Sequence, residues 1–103
     1  LGISSAKRSA LAPEVPTVAE AGVAGFEGGA WYGTVFAAKT PPAIVRKVHD
    51  DIVRALQLPD IRERMTAAGV EVVGSTPEVF AKFIQAEISK WARVVALSGA
   101  RAE

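Results

Sequence analysis

The sequence has no cysteine among its 103 residues. That excludes disulfides, thiolate catalysis and zinc-cysteine sites together, and leaves the compartment open. It has one histidine, His49, so a multi-histidine metal site is excluded as well. No excess of charge of either sign is present. Lys and Arg number 12 against 11 acids, a formal net charge of +1, so no strong field draws nucleic acid or an anionic membrane. No apolar run approaches the roughly 18 residues that span a bilayer. No export signal is visible, and the chain opens at Leu1 in an apolar stretch, so the expectation is a processed start or a piece of a longer protein. Aromatics are few: one tyrosine, two tryptophans and four phenylalanines. Two of those rings, Trp31 and Tyr32, stand side by side among glycines in GFEGGAWYGTVFAAKTPP, residues 25–42.

What is present is globular in composition, 50% hydrophobic and 22% charged. LGIS reads as the end of a strand, with Leu1 and Ile3 on one face. Pro13 and Pro16 push their predecessors toward extended backbone. In PTVAEAG, Thr17 and Glu20 have capping-box spacing, and Gly22 is a natural stop, so a short helix is expected there. Ala30 to Ala38 favours a strand. Trp31, Gly33, Val35 and Ala37 would fall on one face, and Tyr32, Thr34, Phe36 and Ala38 on the other. Neither face is polar, so that strand should be buried on both sides. Gly28 and Gly29 before it would permit unusual backbone angles.

TPPAIVRKVHDDIVRALQ predicts a helix capped by Thr40, with prolines in its first turn and a stripe of Ile44, Val48, Ile52 and Leu56, widened by Val45 and Ala55. A second helix restarts near Pro59 and stops at Gly69. VEVVG predicts a short strand from Val70 to Val73. Ser75 or Thr76 caps a long helix running to about Leu97, with Gly99 as its stop. Its stripe is Phe80, Phe83, Ile84, Ile88, Trp91 and Val95, and its length is about 30 Å. The order strand, short helix, strand, helix, helix, short strand, long helix is α/β. With so few strands, the neighbours of the strand around Phe36 are expected from a missing segment or a second copy of the chain.

Candidate chemistry is sparse. His49, Asp50 and Asp51 could suggest a general base or a metal, but helical neighbours point about 100° apart and do not converge on one ion. A helix-boundary histidine with two solvated carboxylates is the simpler reading. Ser4 and Lys7 have S-x-x-K spacing, yet they sit in a proline-rich loop and not at a helix start. GVAGFEGG is no phosphate loop, lacking G-K-[ST]. Glu87 and Lys90, at i, i+3 on the long helix, add a few tenths of a kcal/mol at most. By strand alternation Trp31 and Tyr32 would point to opposite faces, so they would pack a core or one of them would line a cleft. No catalytic residue, metal ligand or cofactor site is assigned.

The segments SSAKRSALAPEVPTVAEAG, GFEGGAWYGTVFAAKTPPAIVRKVHDDIVRAL and STPEVFAKFIQAEISKWARVV, in this order, resemble the tripartite tricarboxylate transporter receptors, the Bug family. The resemblance implies a partial type II periplasmic-binding-protein fold, the C-terminal third of a two-lobed receptor. Residues 1–25 would end the second lobe, 26–38 would be a hinge-crossing strand, and 39–103 would be the C-terminal part of the first lobe. It further implies a periplasmic, non-enzymatic protein that captures small carboxylates by lobe closure and passes them to membrane permease subunits, without a cofactor. Most of the clamping loops would lie in the portion preceding this chain, so its own binding site would be incomplete. Trp31, Tyr32, Gly29 and Gly33 are the residues this places at the hinge or ligand. The alternative is a self-associating interaction module, a homo-oligomer formed by a truncated product. A small hydrolase using His49 is a third reading.

Overall fold

Residues 1–100 are described by a computed structural model. Among the described residues the backbone forms three helices: α1 (Pro42–Leu56), α2 (Pro59–Ala67) and α3 (Pro77–Ser98). The chain divides into two compact units, one spanning Leu1–Val35 and a second beginning at Phe36, and all three helices lie in the second.

The second unit follows the helical signals of the sequence closely. α1 starts at paired prolines, Pro42 occupying its first turn where a missing N–H costs nothing. Thr40 is not its cap, contrary to expectation. Pro41 takes the cap position without a side-chain bond, and the Thr40 hydroxyl instead donates to the Ala37 carbonyl at 2.8 Å. That turn includes Lys39 at φ 70°, a left-handed angle unusual for a side chain of its length. α2 ends where Gly69, at φ 73°, turns the chain so that the Val70 N–H reaches back to the Met65 carbonyl. α3 begins at Thr76, whose hydroxyl accepts from the Val79 N–H at 3.3 Å, and it stops at Gly99, at φ 68°.

α1 contacts both α2 and α3. Its inward residues are Val45, Val48, His49, Val53 and Leu56, so the inner face is rotated from the expected stripe and Ile44 and Ile52 lie exposed. On α3, Phe80 and Ile84 are half-buried, while Phe83, Ile88, Trp91 and Val95 are exposed. No hydrophobic residue among those described is fully buried.

The expected strands at 30–38 and 70–73 do not form, and the α/β expectation is corrected on that point: the described residues are mostly helical. Local preference for extended backbone is not sufficient for a strand. The ladder needs a partner, and β-propensity largely measures packing against cross-strand neighbours. Val73 and Val35 accordingly stand exposed.

In the first unit, one parallel bridge joins Ile3 to Thr17. The Ile3 N–H donates to the Pro16 carbonyl at 2.9 Å, and the Val18 N–H donates to the Ile3 carbonyl at 2.9 Å. The predicted strand end at 1–4 is reduced to this contact. The expected short helix is a single turn, although its capping box is complete. The Glu20 N–H donates to Thr17 Oγ1 at 3.1 Å, and the Thr17 N–H donates to Glu20 Oε2 at 2.8 Å.

Candidate functional site

The stretch with the paired aromatics is held at its base by the first unit. Thr17 is 2% exposed, the most buried polar residue described, and its box with Glu20 closes the turn. Arg8 reaches the same carboxylate, Nε to Glu20 Oε2 at 2.8 Å, and its Nη1 donates to the Pro13 carbonyl at 3.1 Å. One side chain thereby joins the proline loop to the turn. The Gly28 N–H then donates to the Ser4 carbonyl at 2.9 Å, anchoring the chain one residue before Gly29. The bend itself is made earlier than expected, at Gly22 (φ 124°) and Gly25 (φ 76°), whereas Gly28 and Gly29 have no left-handed φ. Both bending positions would strain any other residue.

Beyond that anchor, Gly29, Trp31, Tyr32 and Gly33 lie in irregular, exposed backbone. Tyr32 is 87% exposed and Trp31 42%. Without a strand, the alternation expected to separate the two rings does not operate.

Glu20 is the electrostatic centre of this base. The Thr17 N–H foremost, and the Arg8 guanidinium after it, hold its carboxyl below the ordinary value of 4.5. A depressed folded value means that the contribution is present above the ordinary value and is lost as pH falls through the lowered one. Carbon-13 titration of Glu20 should therefore give a midpoint below that of an unstructured glutamate. Arg8→Ala should move it partly back and Thr17→Pro further, since the backbone donor is the larger cause. A midpoint unmoved by either change would show that these contacts do not form.

In the second unit, a depression of about 230 Å³ lies between the starts of α1 and α3, lined by Thr40, Pro42, Val45, Arg46, Pro77 and Glu78. The Glu78 carboxyl is held below its ordinary value by its own backbone N–H first and the Thr76 hydroxyl second, with smaller contributions from Arg46 and His49. This is the helix-start use of an acid.

His49 is half-buried, with Nδ1 3.0 Å from Asp50 Oδ1. Asp51 turns away, toward Lys47 at 2.8 Å and Arg54 at 3.6 Å. The three side chains do not converge, and no group of three potential metal ligands occurs among the described residues. Ser4 lends its carbonyl to the Gly28 anchor, and Lys7 lends its own to the Ser5 hydroxyl at 2.7 Å, both ordinary loop contacts.

Sequence reasoning found Thr17 and Glu20 through their spacing. It missed Arg8, twelve positions from its partner, and the Ser4–Gly28 anchor, because neither has a periodic signal. It also undervalued Glu87. That residue is 8% exposed, accepts from Trp91 Nε1 at 2.9 Å and is paired with Lys90, whose ammonium lies 5.6 Å from the Trp91 ring centre.

Comparison with known proteins bears directly on this arrangement. Residues 1–99 match the model of the tripartite tricarboxylate transporter family receptor. The chain belongs to this receptor family. Among curated relatives, the protein in the tcbD-tcbE intergenic region of Pseudomonas sp. (strain P51) is 39% identical over 97 residues, which is 92% of this chain and 29% of the relative. Protein BugT of Bordetella pertussis is 37% identical over 101 residues, 98% of this chain and 31% of the relative. A protein in the TAR-I ttuE-ttuC' intergenic region of Agrobacterium vitis is 30% identical over 100 residues, 94% of this chain and 29% of the relative. The chain thus spans about 30% of the length of these curated relatives. The family is one of periplasmic binding proteins rather than enzymes, working with membrane permease components. No helix among the described residues is long and apolar enough to cross a membrane.

Proposed function

We propose that this chain is the C-terminal third of a periplasmic receptor that captures small carboxylates by lobe closure and presents them to a membrane permease. The observation that carries the reading is the family match along residues 1–99, in a chain that buries no hydrophobic residue among those described. Three helices with uncovered apolar faces are what a portion of a larger two-lobed body presents. In this reading residues 26–38 cross between the lobes and become a strand once a partner supplies the ladder. Gly29 and Gly33 accommodate the crossing, and Trp31 and Tyr32 pack beside it or face the ligand. The chain catalyses no reaction and needs no cofactor.

The test is a melting-temperature panel of di- and tricarboxylates on two samples. The first is this chain alone, and the second is this chain joined to the portion that precedes the matched region in BugT. The joined form should show a saturable upward shift, worth about 2.7 kcal/mol at a hundredfold excess over Kd. The chain alone should show none. A strong saturable shift with the chain alone, or no carboxylate-dependent shift with the joined form, contradicts the proposal.

The second reading, a self-associating module, has the exposed stripe Ile88, Trp91 and Val95 in its favour, because uncovered apolar faces tend to pair. A light-scattering mass of a monomer at working concentration removes it.

A further inference from the structure

The hydrogen bonds of the first unit close into a ring, and one side chain completes it. Along one arm, the Val23 N–H donates to the Val18 carbonyl at 3.1 Å and the Phe26 N–H to the Val23 carbonyl at 3.0 Å. These bonds lead the chain from the Thr17–Glu20 turn round to Gly28, whose N–H donates to the Ser4 carbonyl at 2.9 Å. Along the other arm, residues 5–7 lead from Ser4 to Arg8. Arg8 then returns to the turn, Nε to Glu20 Oε2 at 2.8 Å.

The bridge at Ile3 does not by itself fix the Ser4 carbonyl. Ile3 donates to Pro16 and accepts from Val18, which holds the peptide planes on either side of Ile3. The Ser4 carbonyl belongs to the next plane, which can turn about the soft dihedrals of Ser4. The short loop beyond limits that turn. The Ser5 hydroxyl donates to the Lys7 carbonyl at 2.7 Å and draws the loop tight. Arg8 holds its far end at two points, Glu20 Oε2 and the Pro13 carbonyl. At the near end, a Cβ on Gly2 would lie 3.2 Å from both N and Cγ2 of Val18, so glycine lets the chain run this close. Glu20 Oε2 accepts from the Thr17 N–H as well as from Arg8, so one carboxylate oxygen joins the cap to the clasp.

We propose that Arg8 is a positioning residue for residues 29–33. By clasping Glu20 it keeps the Ser4 carbonyl aimed at the Gly28 N–H, and so sets the direction in which Gly29, Trp31, Tyr32 and Gly33 leave the anchor. The inference rests on the receptor reading only in treating that segment as the one that crosses between lobes. Arg8 and Glu20 are both about half-exposed, and ion pairs of that kind stabilise little. The clasp therefore contributes direction more than stability.

The test is amide hydrogen exchange, read by NMR on the 103-residue chain. Arg8→Ala should raise the exchange rate of Gly28 about threefold or more, while the Ile3 and Val18 amides keep theirs. The Trp31 indole N–H resonance should shift with it. Arg8→Lys should recover part of the Gly28 protection, because an ammonium still reaches a carboxylate but lacks the fork that also engages Pro13. Lys7→Ala, at an exposed neighbour, should change nothing. An unmoved Gly28 rate in Arg8→Ala overturns the proposal, as does a wild-type Gly28 amide that exchanges as fast as an unstructured glycine. Equal loss at Ile3, Val18 and Gly28 also overturns it, since Arg8 would then only hold the unit together. A second arm titrates the chain joined to its BugT-derived upstream portion with succinate and with citrate. Where the wild type binds either, Arg8→Ala should weaken that binding about threefold or more, and equal affinity overturns the proposal. Where the wild type binds neither, the receptor reading fails on its own, and the Gly28 exchange still decides the role of Arg8.

Discussion

Heated alone, the chain should lose its helical signal gradually instead of at one sharp transition. Cooperative melting requires a shared interior that all elements lose together, and no hydrophobic residue described is fully buried. Phe83, Ile88, Trp91, Val94 and Leu97 of α3 all stand exposed. What remains is helix propensity, caps and the partial packing of α1 on its neighbours. α3 has 22 residues with both a start cap and a stop signal, so it should retain helix at low temperature, but most helical stability in proteins comes from tertiary packing of an apolar face, which it lacks here. α2, with nine residues, should fray first. A folded domain of about 100 residues absorbs about 60–80 kcal/mol at its midpoint. Scanning calorimetry on this chain should show no such peak. Joined to its upstream portion it should show one, because the apolar face of α3 then gains a partner surface. A full-sized peak from the chain alone would mean that its apolar residues find cover by themselves, and the self-associating reading would then be favoured.

Glu87→Ala should weaken α3 far more than any substitution among the surface ion pairs. Glu87 is 8% exposed and accepts from Trp91 Nε1 at 2.9 Å while pairing with Lys90. Its removal takes away the acceptor of the indole N–H and leaves a half-buried ammonium without this acid. Loss of such a partner costs about 1–3 kcal/mol. Glu87→Gln should recover part of that cost, because an amide oxygen still accepts from Trp91 while the charge pairing with Lys90 is lost. Asp51→Ala is the comparison. It breaks contacts to Lys47 and Arg54 that are largely solvated, and such pairs contribute about 0–1 kcal/mol. Hydrogen exchange of the amides in the middle of α3 reads the difference as a local opening free energy. Equal protection loss in Glu87→Ala and Asp51→Ala would show that Glu87 gains nothing from its burial.

Helix boundaries in this protein are written locally. Paired prolines begin α1, Gly69 ends the turn after α2, and Thr76 and Gly99 bracket α3, because a cap or a left-handed stop is satisfied by residues within one turn. The capping box of Thr17 and Glu20 is legible for the same reason, and so is family membership, which rests on the order of whole segments. The segment 30–38 has the residues of a strand and no ladder, since the second half of every strand hydrogen bond must come from elsewhere. Its expected burial on both faces fails with it.

Three facts needed the tertiary structure. One is the rotation of α1, which turns His49 and Val53 inward and leaves Ile44 and Ile52 outside. Another is the reach of Arg8 to Glu20, and a third is the burial of Glu87 beside Trp91. By itself the sequence determined where the helices start and stop and to which receptor family the chain belongs. Which faces are covered was decided only in three dimensions, because burial belongs to pairs of surfaces and a single helix pattern describes one surface at a time.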